Sequence, residues 1–147
     1  MPTLPFRFLL VAVCAALCGM AAGIVMAASG DFTLAPAHAH LNLLGWVSMA
    51  LYGLFYRAVP EASAGWLPKA HFWVATTGLV IMVPALGWLL LGHPGIEPVI
   101  GIGSLLTVAA MGMFGAVVLR SRQRVLGTSR PVPGSLGVVH LSSQTSS

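Results

Sequence analysis

The sequence predicts an all-α membrane protein, a bundle of four transmembrane helices with both termini in the cytoplasm. Three observations carry this. Apolar residues make up 57% of the chain and charged residues 7%, whereas a soluble domain carries roughly 25% charged residues. With a mean hydropathy of +0.91, a water-soluble fold would lack the charge to cover its surface. The apolar residues also gather in four runs of the length that crosses a bilayer core, about 20 residues at about 1.5 Å each. Finally, the basic residues lie at alternate ends of those runs.

The first span is residues 8–28, preceded by Arg7. Met26-Ala27-Ala28 resembles a signal-peptide cleavage site, but signal-peptide cores are shorter, about 7–15 residues. The helix is therefore expected to be retained. Cys14 and Cys18 lie four apart inside it, a spacing unsuited to a disulfide, and read as small buried packing residues. Ala15, Gly19 and Gly23 recur every fourth position, which lets helix backbones approach.

A turn-rich segment with Gly30, Asp31 and Pro36 leads to the second span, residues 38–57. A loop from Val59 to Lys69 follows, then the third span, residues 71–91, with Pro84 inside it. The tight loop at 92–98 leads to the fourth span, residues 99–119, where Gly112 and Ala116 repeat the small-residue spacing. Residues 120–147 begin Arg-Ser-Arg-Gln-Arg and turn Ser-rich. They hold too little apolar surface to order themselves and read as a flexible basic cytoplasmic tail.

With the N-terminus inside, Arg7, Arg57, Lys69, Arg120, Arg122, Arg124 and Arg130 all fall on the cytoplasmic side. The outer loops carry Asp31 and Glu97 and no Lys or Arg. This is the positive-inside pattern. It accounts for the net charge of +4 without a nucleic-acid partner. The expected setting is the bacterial inner (plasma) membrane, with the lipid bilayer as the main partner.

The stretch that can carry chemistry is Pro36-Ala-His38-Ala-His40-Leu-Asn42-Leu-Leu-Gly-Trp46. Polar side chains at membrane depth are costly and tend to mark function, and neutral imidazole is a good axial ligand for haem iron. Two positions apart on a helix, His38 and His40 point to nearly opposite faces. His40 shares a face with Leu43, Leu44 and Val47 and reads as the inward candidate. His38 reads as the helix start, reaching water or a cap. His93 lies in the second outer loop, either as part of a Gly-His-Pro-Gly turn or as a partner to His40. A His40–His93 pair would make a bis-histidine haem site or part of a metal site. His71 opens the third helix at the inner face, about 25–30 Å away. Beside Phe72 and Trp73 it reads as an interfacial anchor, with an inner-side haem as the alternative.

The stretch from His38 to Arg57 resembles the second helix of haem–copper oxidase subunit I, above all its cbb3-type and nitric-oxide-reductase branches. The whole chain resembles short bacterial proteins described as cytochrome-c oxidase subunit I-like. In that family the second-helix histidine ligates the low-spin haem near the outer face. The resemblance implies that His40 matches it, with His38 as the other register. The family's copper and high-spin haem ligands lie on later helices and have no counterpart here, so reduction of oxygen or nitric oxide by this chain alone is not expected.

Two functions follow as expectations. One is a haem-b-binding membrane protein in electron transfer or accessory to a respiratory complex. There His40 gives one axial ligand, His93 or His40 of a second copy in a homodimer gives the other, and Asn42 and Trp46 stand beside the haem. The other is a cofactor-free membrane subunit or assembly partner that packs through its small-residue faces. A metal-binding or transport role for His38, His40 and His93 is weaker, because no charge lies at mid-membrane.

Overall fold

The computed structural model describes residues 3–128, with side chains to Arg122. Helix α1 spans Leu4–Ser29 and starts with a proline in its first turn, where the missing N–H costs nothing. It stops at Gly30, whose φ of 69° closes the end with an N–H bond to the Met26 carbonyl at 2.9 Å. A short turn leads to α2, Ala35–His40. In the turn the Thr33 hydroxyl and N–H both donate to Asp31 Oδ1, at 2.6 and 2.9 Å.

Helix α2 runs without a break into a π-helical stretch, Leu41–Ser48, and then α3, Met49–Ala58. The junction residues His40 and Ser48 keep right-handed helical angles (φ −63°, ψ −41° and φ −64°, ψ −45°), so the three pieces form one rod. The widening has a visible local cause. The Asn42 side-chain amide donates to the His38 carbonyl at 3.0 Å, the acceptor its own backbone N–H would use in an α-helix. The Ser48 hydroxyl donates to the Leu43 carbonyl five residues back at 2.8 Å. A side chain inserted in the backbone ladder is a known source of such irregularity.

A 3-10 turn, Pro60–Ser63, then connects to α4, Leu67–Leu90, which carries Pro84 in its interior. Helix α5 is Glu97–Thr128. Its length corrects the expected tail: residues 120–128 continue the helix, and the remaining tail, 129–147, lies outside the described residues.

Among the described residues, three helices are long and apolar enough to cross a membrane: Leu4–Ser29, Leu67–Leu90 and Glu97–Arg122. Their outer surfaces are apolar, with Ile24, Val80, Leu105 and Val108 all more than 60% exposed. A water-soluble monomer does not display such continuous apolar rods. The protein is therefore a multi-pass membrane protein.

Between helices in lipid the hydrophobic effect offers little, and close van der Waals packing replaces it. Small residues make the approach possible. A Cβ on Gly45 would lie 2.7 Å from the Ala15 Cβ, and a Cβ on Gly103 would lie 2.6 Å from the Met82 Cβ and 2.8 Å from its Cα. The α1 stripe packs as its spacing predicts, Gly19 against Asn42 and Gly23 against His38. The α5 stripe does not: Gly112 is exposed, and nothing lies within 4 Å of where its Cβ would be. Cys14 and Cys18 are exposed free thiols on the outer surface of α1, not the buried packing residues expected.

The core is aromatic and sits toward the end that holds the N-terminus and the α3–α4 connection. Phe8, Tyr52, Tyr56, His71 and Phe72 are buried there, and Phe114 of α5 packs against them. Phe8 stacks on Tyr56 with centroids 5.5 Å apart, and Phe72 meets Phe8 edge-on at 5.0 Å. Such pairs contribute roughly 0.5–1.5 kcal/mol each beyond simple burial.

Candidate functional site

The α2–π–α3 rod turns Asn42, Gly45, Met49, Tyr52 and Tyr56 inward and leaves Leu43, Leu51 and Leu54 exposed. His38 lies on the inner face. Its Cε1 is 3.3 Å from where a Gly23 Cβ would be, and its Nε2 is 3.2 Å from the Asn42 amide nitrogen. Asn42 fills the space against Gly19. His40 is half-buried; of the residues expected on its face, Leu43 is 62% and Val47 41% exposed, while Leu44 packs against the core, and Trp46 is also 41% exposed. The structure thus corrects the reading of His38, which packs against α1 and does not stand free at the helix start. In lipid, apolar side chains face out, so the exposed Leu43 and Val47 mark the outer surface of the rod beside the half-buried His40.

His40 is nonetheless chemically poised. Its Nδ1–H donates to the Pro36 carbonyl at 2.8 Å. The carbonyl can only accept, so the proton is on Nδ1 and the Nε2 lone pair is free. This hydrogen bond is the usual means of fixing tautomer and ring direction in a metal-ligating histidine.

His93 sits in the α4–α5 turn, where Gly92 and Gly95 adopt φ of 89° and 94°. Its ring lies flat on Trp88, with centroids 4.1 Å apart and planes inclined by 20°. It belongs to the same end of the bundle as His40, because Leu34, just before α2, lies against Gly87 of α4. No hydrogen bond or ring contact joins the two histidines, and no group of three His, Cys, Asp or Glu side chains forms a metal cluster among the described residues.

His71 is a correction and the residue that sequence reasoning undervalued. It is 0% exposed, so it is no interfacial anchor. Its Nδ1 shares a hydrogen bond of 3.0 Å with the Tyr56 hydroxyl. Its Nε2 is buried without a hydrogen-bond partner, and the Tyr52 ring stands edge-on to the imidazole at 4.5 Å. One sequence signal was available: Tyr52 and Tyr56, four apart, present two phenols on one helix face. Of the two expected belt neighbours of His71, Phe72 is buried, while Trp73 is 61% exposed on the outer surface.

With the geometry in view, comparison with known proteins gives the chain its relatives. Over 63 residues it is 36% identical to the cbb3-type cytochrome c oxidase subunit CcoN1 of Stutzerimonas stutzeri. Over 65 residues it is 37% identical to the bacteroid cytochrome c oxidase subunit 1 homolog of Bradyrhizobium diazoefficiens.

Part of this chain is similar to cytochrome c oxidase subunit I. The matches cover 38% of the chain and only 13% and 11% of the two oxidase subunits. No protein-family model matches the chain, and no solved structure does. The oxidase resemblance is thus confined to a fragment of a much larger protein.

Proposed function

We propose that this respiratory-type membrane protein holds haem b through His40, as an electron-transfer component of, or an accessory to, a respiratory complex. It spans a bacterial inner membrane four times, the α2–π–α3 rod serving as the second span, with both termini in the cytoplasm. The observation that carries the reading is the 2.8 Å bond from His40 Nδ1–H to the Pro36 carbonyl, which in the neutral ring leaves the lone pair on Nε2. The residues present fit one axial position. His40 has a free lone pair on an apolar surface, with Leu43, Trp46 and Val47 offering a dry wall to a porphyrin face. His38 is packed against Gly23 and Asn42, and Asn42 steadies that inner face. His93 is the intramolecular candidate for the second ligand and must leave Trp88 to serve. A His40 from a second copy is the alternative, approached across the exposed Leu43 and Val47.

Haem b, when bound, supplies a one-electron iron couple. The chain's own residues fix the imidazole, exclude water from its face and set the depth of the site in the membrane. The test is haem content in purified variants made in haem-replete cells. His40→Ala is expected to lose the haem while the fold is kept, and His38→Ala to keep it. Retention of haem in His40→Ala would refute the assignment.

One observation favours a second reading, a cofactor-free subunit that packs on other membrane proteins. Gly101, Gly112 and Gly115 of α5 are exposed with nothing within 4 Å of their Cβ positions, so bare backbone is open to another helix. On that reading the wild-type protein is colourless and His40→Ala behaves like wild type.

A further inference from the structure

At the end of the bundle opposite His40, an open groove separates the start of α1 from the α3–α4 connection. Leu4 and Pro5 form one wall, Pro60 the other, and Tyr56 lies at its base, with Arg57 and Lys69 on the rim. Its volume is about 630 Å³, within the range of roughly 300–1,000 Å³ typical of small-molecule pockets. Both cations are exposed and neither is paired with a carboxylate among the described residues. Glu61, on the same connection, is not part of the lining.

We propose that this groove binds one anionic phospholipid, its phosphodiester held between Arg57 and Lys69 and its glycerol and upper acyl chain laid along Leu4, Pro5 and Pro60. Charge complementarity carries the choice of occupant. Two unpaired cations face a cleft whose remaining surface is mainly apolar, and they stand where a helix bundle meets headgroups. Basic clefts between membrane helices on the cytoplasmic side are the physical counterpart of anionic lipid headgroups. The amino end of α1 also borders the groove, and its first turn has no side-chain cap. Its N–H groups therefore add positive potential to that of the two side chains. A choline headgroup would bring its own cation against Arg57 and Lys69 and gain less.

The test uses the full chain in neutral detergent, incubated separately with dioleoylphosphatidylglycerol or dioleoylphosphatidylcholine and examined by native mass spectrometry. The expected result is one phosphatidylglycerol per chain, retained at least tenfold better than phosphatidylcholine and not displaced by millimolar inorganic phosphate. A cation near an anionic surface contributes roughly fivefold, so Arg57→Gln with Lys69→Gln is expected to lower retention at least tenfold. Arg122→Gln, outside the groove, leaves it unchanged. If the double variant does not fold, Lys69→Gln alone lowers retention several-fold and Lys69→Arg restores it. Equal retention of the two lipids, displacement by phosphate alone, or undiminished binding in Lys69→Gln would each overturn the proposal. The proposed orientation enters only in naming the leaflet. The assay needs neither that orientation nor haem, so its failure leaves both standing.

Discussion

Replacing Tyr56 by phenylalanine leaves His71 without a hydrogen-bond partner for either ring nitrogen, in a site closed to solvent. An unsatisfied buried polar group costs about 1–3 kcal/mol, and hydrogen bonds between membrane helices lie at the low end of such values. Tyr56→Phe is therefore expected to destabilise the protein by about 1–2 kcal/mol in mixed-micelle unfolding. Adding His71→Phe to Tyr56→Phe should cost less than the sum of the two single changes, because each already removes the shared bond; strict additivity would mean that the pair does not interact. A second residue-level expectation concerns pH. The Thr33 hydroxyl, and then its N–H, hold the Asp31 carboxyl below the usual carboxylate range. A depressed folded-state value stabilises above the unfolded carboxylate pKa and is lost as pH falls through the folded value. Thr33→Val should move the Asp31 titration, followed by carboxyl NMR, upward toward the ordinary value; an unmoved titration would show that the hydroxyl bond is absent in solution. The histidines also show what residue-level reading missed. Apolar neighbours around His40 suggested an inward face, but they divide: Leu44 packs against the core, while Leu43 and Val47 are exposed, so apolarity alone does not give the facing of a helix in lipid.

At the scale of elements, contact distances separate glycines that matter from those that do not. Gly103→Ala drives a methyl group into Met82, backbone included, and overpacking of this kind costs about 1–3 kcal/mol. Gly112→Ala meets nothing and should be neutral or stabilising by up to about 1 kcal/mol through helix propensity. Thermal melts of the two variants in one detergent check the contrast; equal effects would contradict the α4–α5 packing. The helical runs were legible in the sequence to within a few residues at most ends, because hydrophobic length sets them. The end of α5 was not, since the arginines after residue 119 read as a tail while helix continues to Thr128. Nor was the π-helical stretch at Leu41–Ser48. It depends on where the Asn42 amide and the Ser48 hydroxyl reach, which periodicity does not encode. The α1 packing stripe was readable because spacing alone defines it. The α5 stripe was misleading because spacing does not say which face finds a partner.

For the molecule as a whole, charge placement makes a topological claim open to direct measurement. In cysteine-free protein (Cys14→Ala, Cys18→Ala), a cysteine placed at Ser29 or Gly95 should react with an impermeant maleimide from the periplasmic side, and one at Ala64 only after the membrane is breached. Labelling of Ala64→Cys in intact spheroplasts would invert the orientation. On the proposed topology the aromatic core around His71 would lie toward the cytoplasm and His40 toward the outside, which would leave the buried Tyr56–His71 pair remote from the proposed haem. The central claim, an imidazole held by Pro36 so that its other nitrogen can bind iron, is tested most directly by the absorption spectrum of the purified protein. Prepared from haem-replete cells and recorded oxidised and then dithionite-reduced, it should show the sharpened α and β bands of a low-spin haem b, abolished in His40→Ala. A protein with no Soret absorption under those conditions would contradict the account.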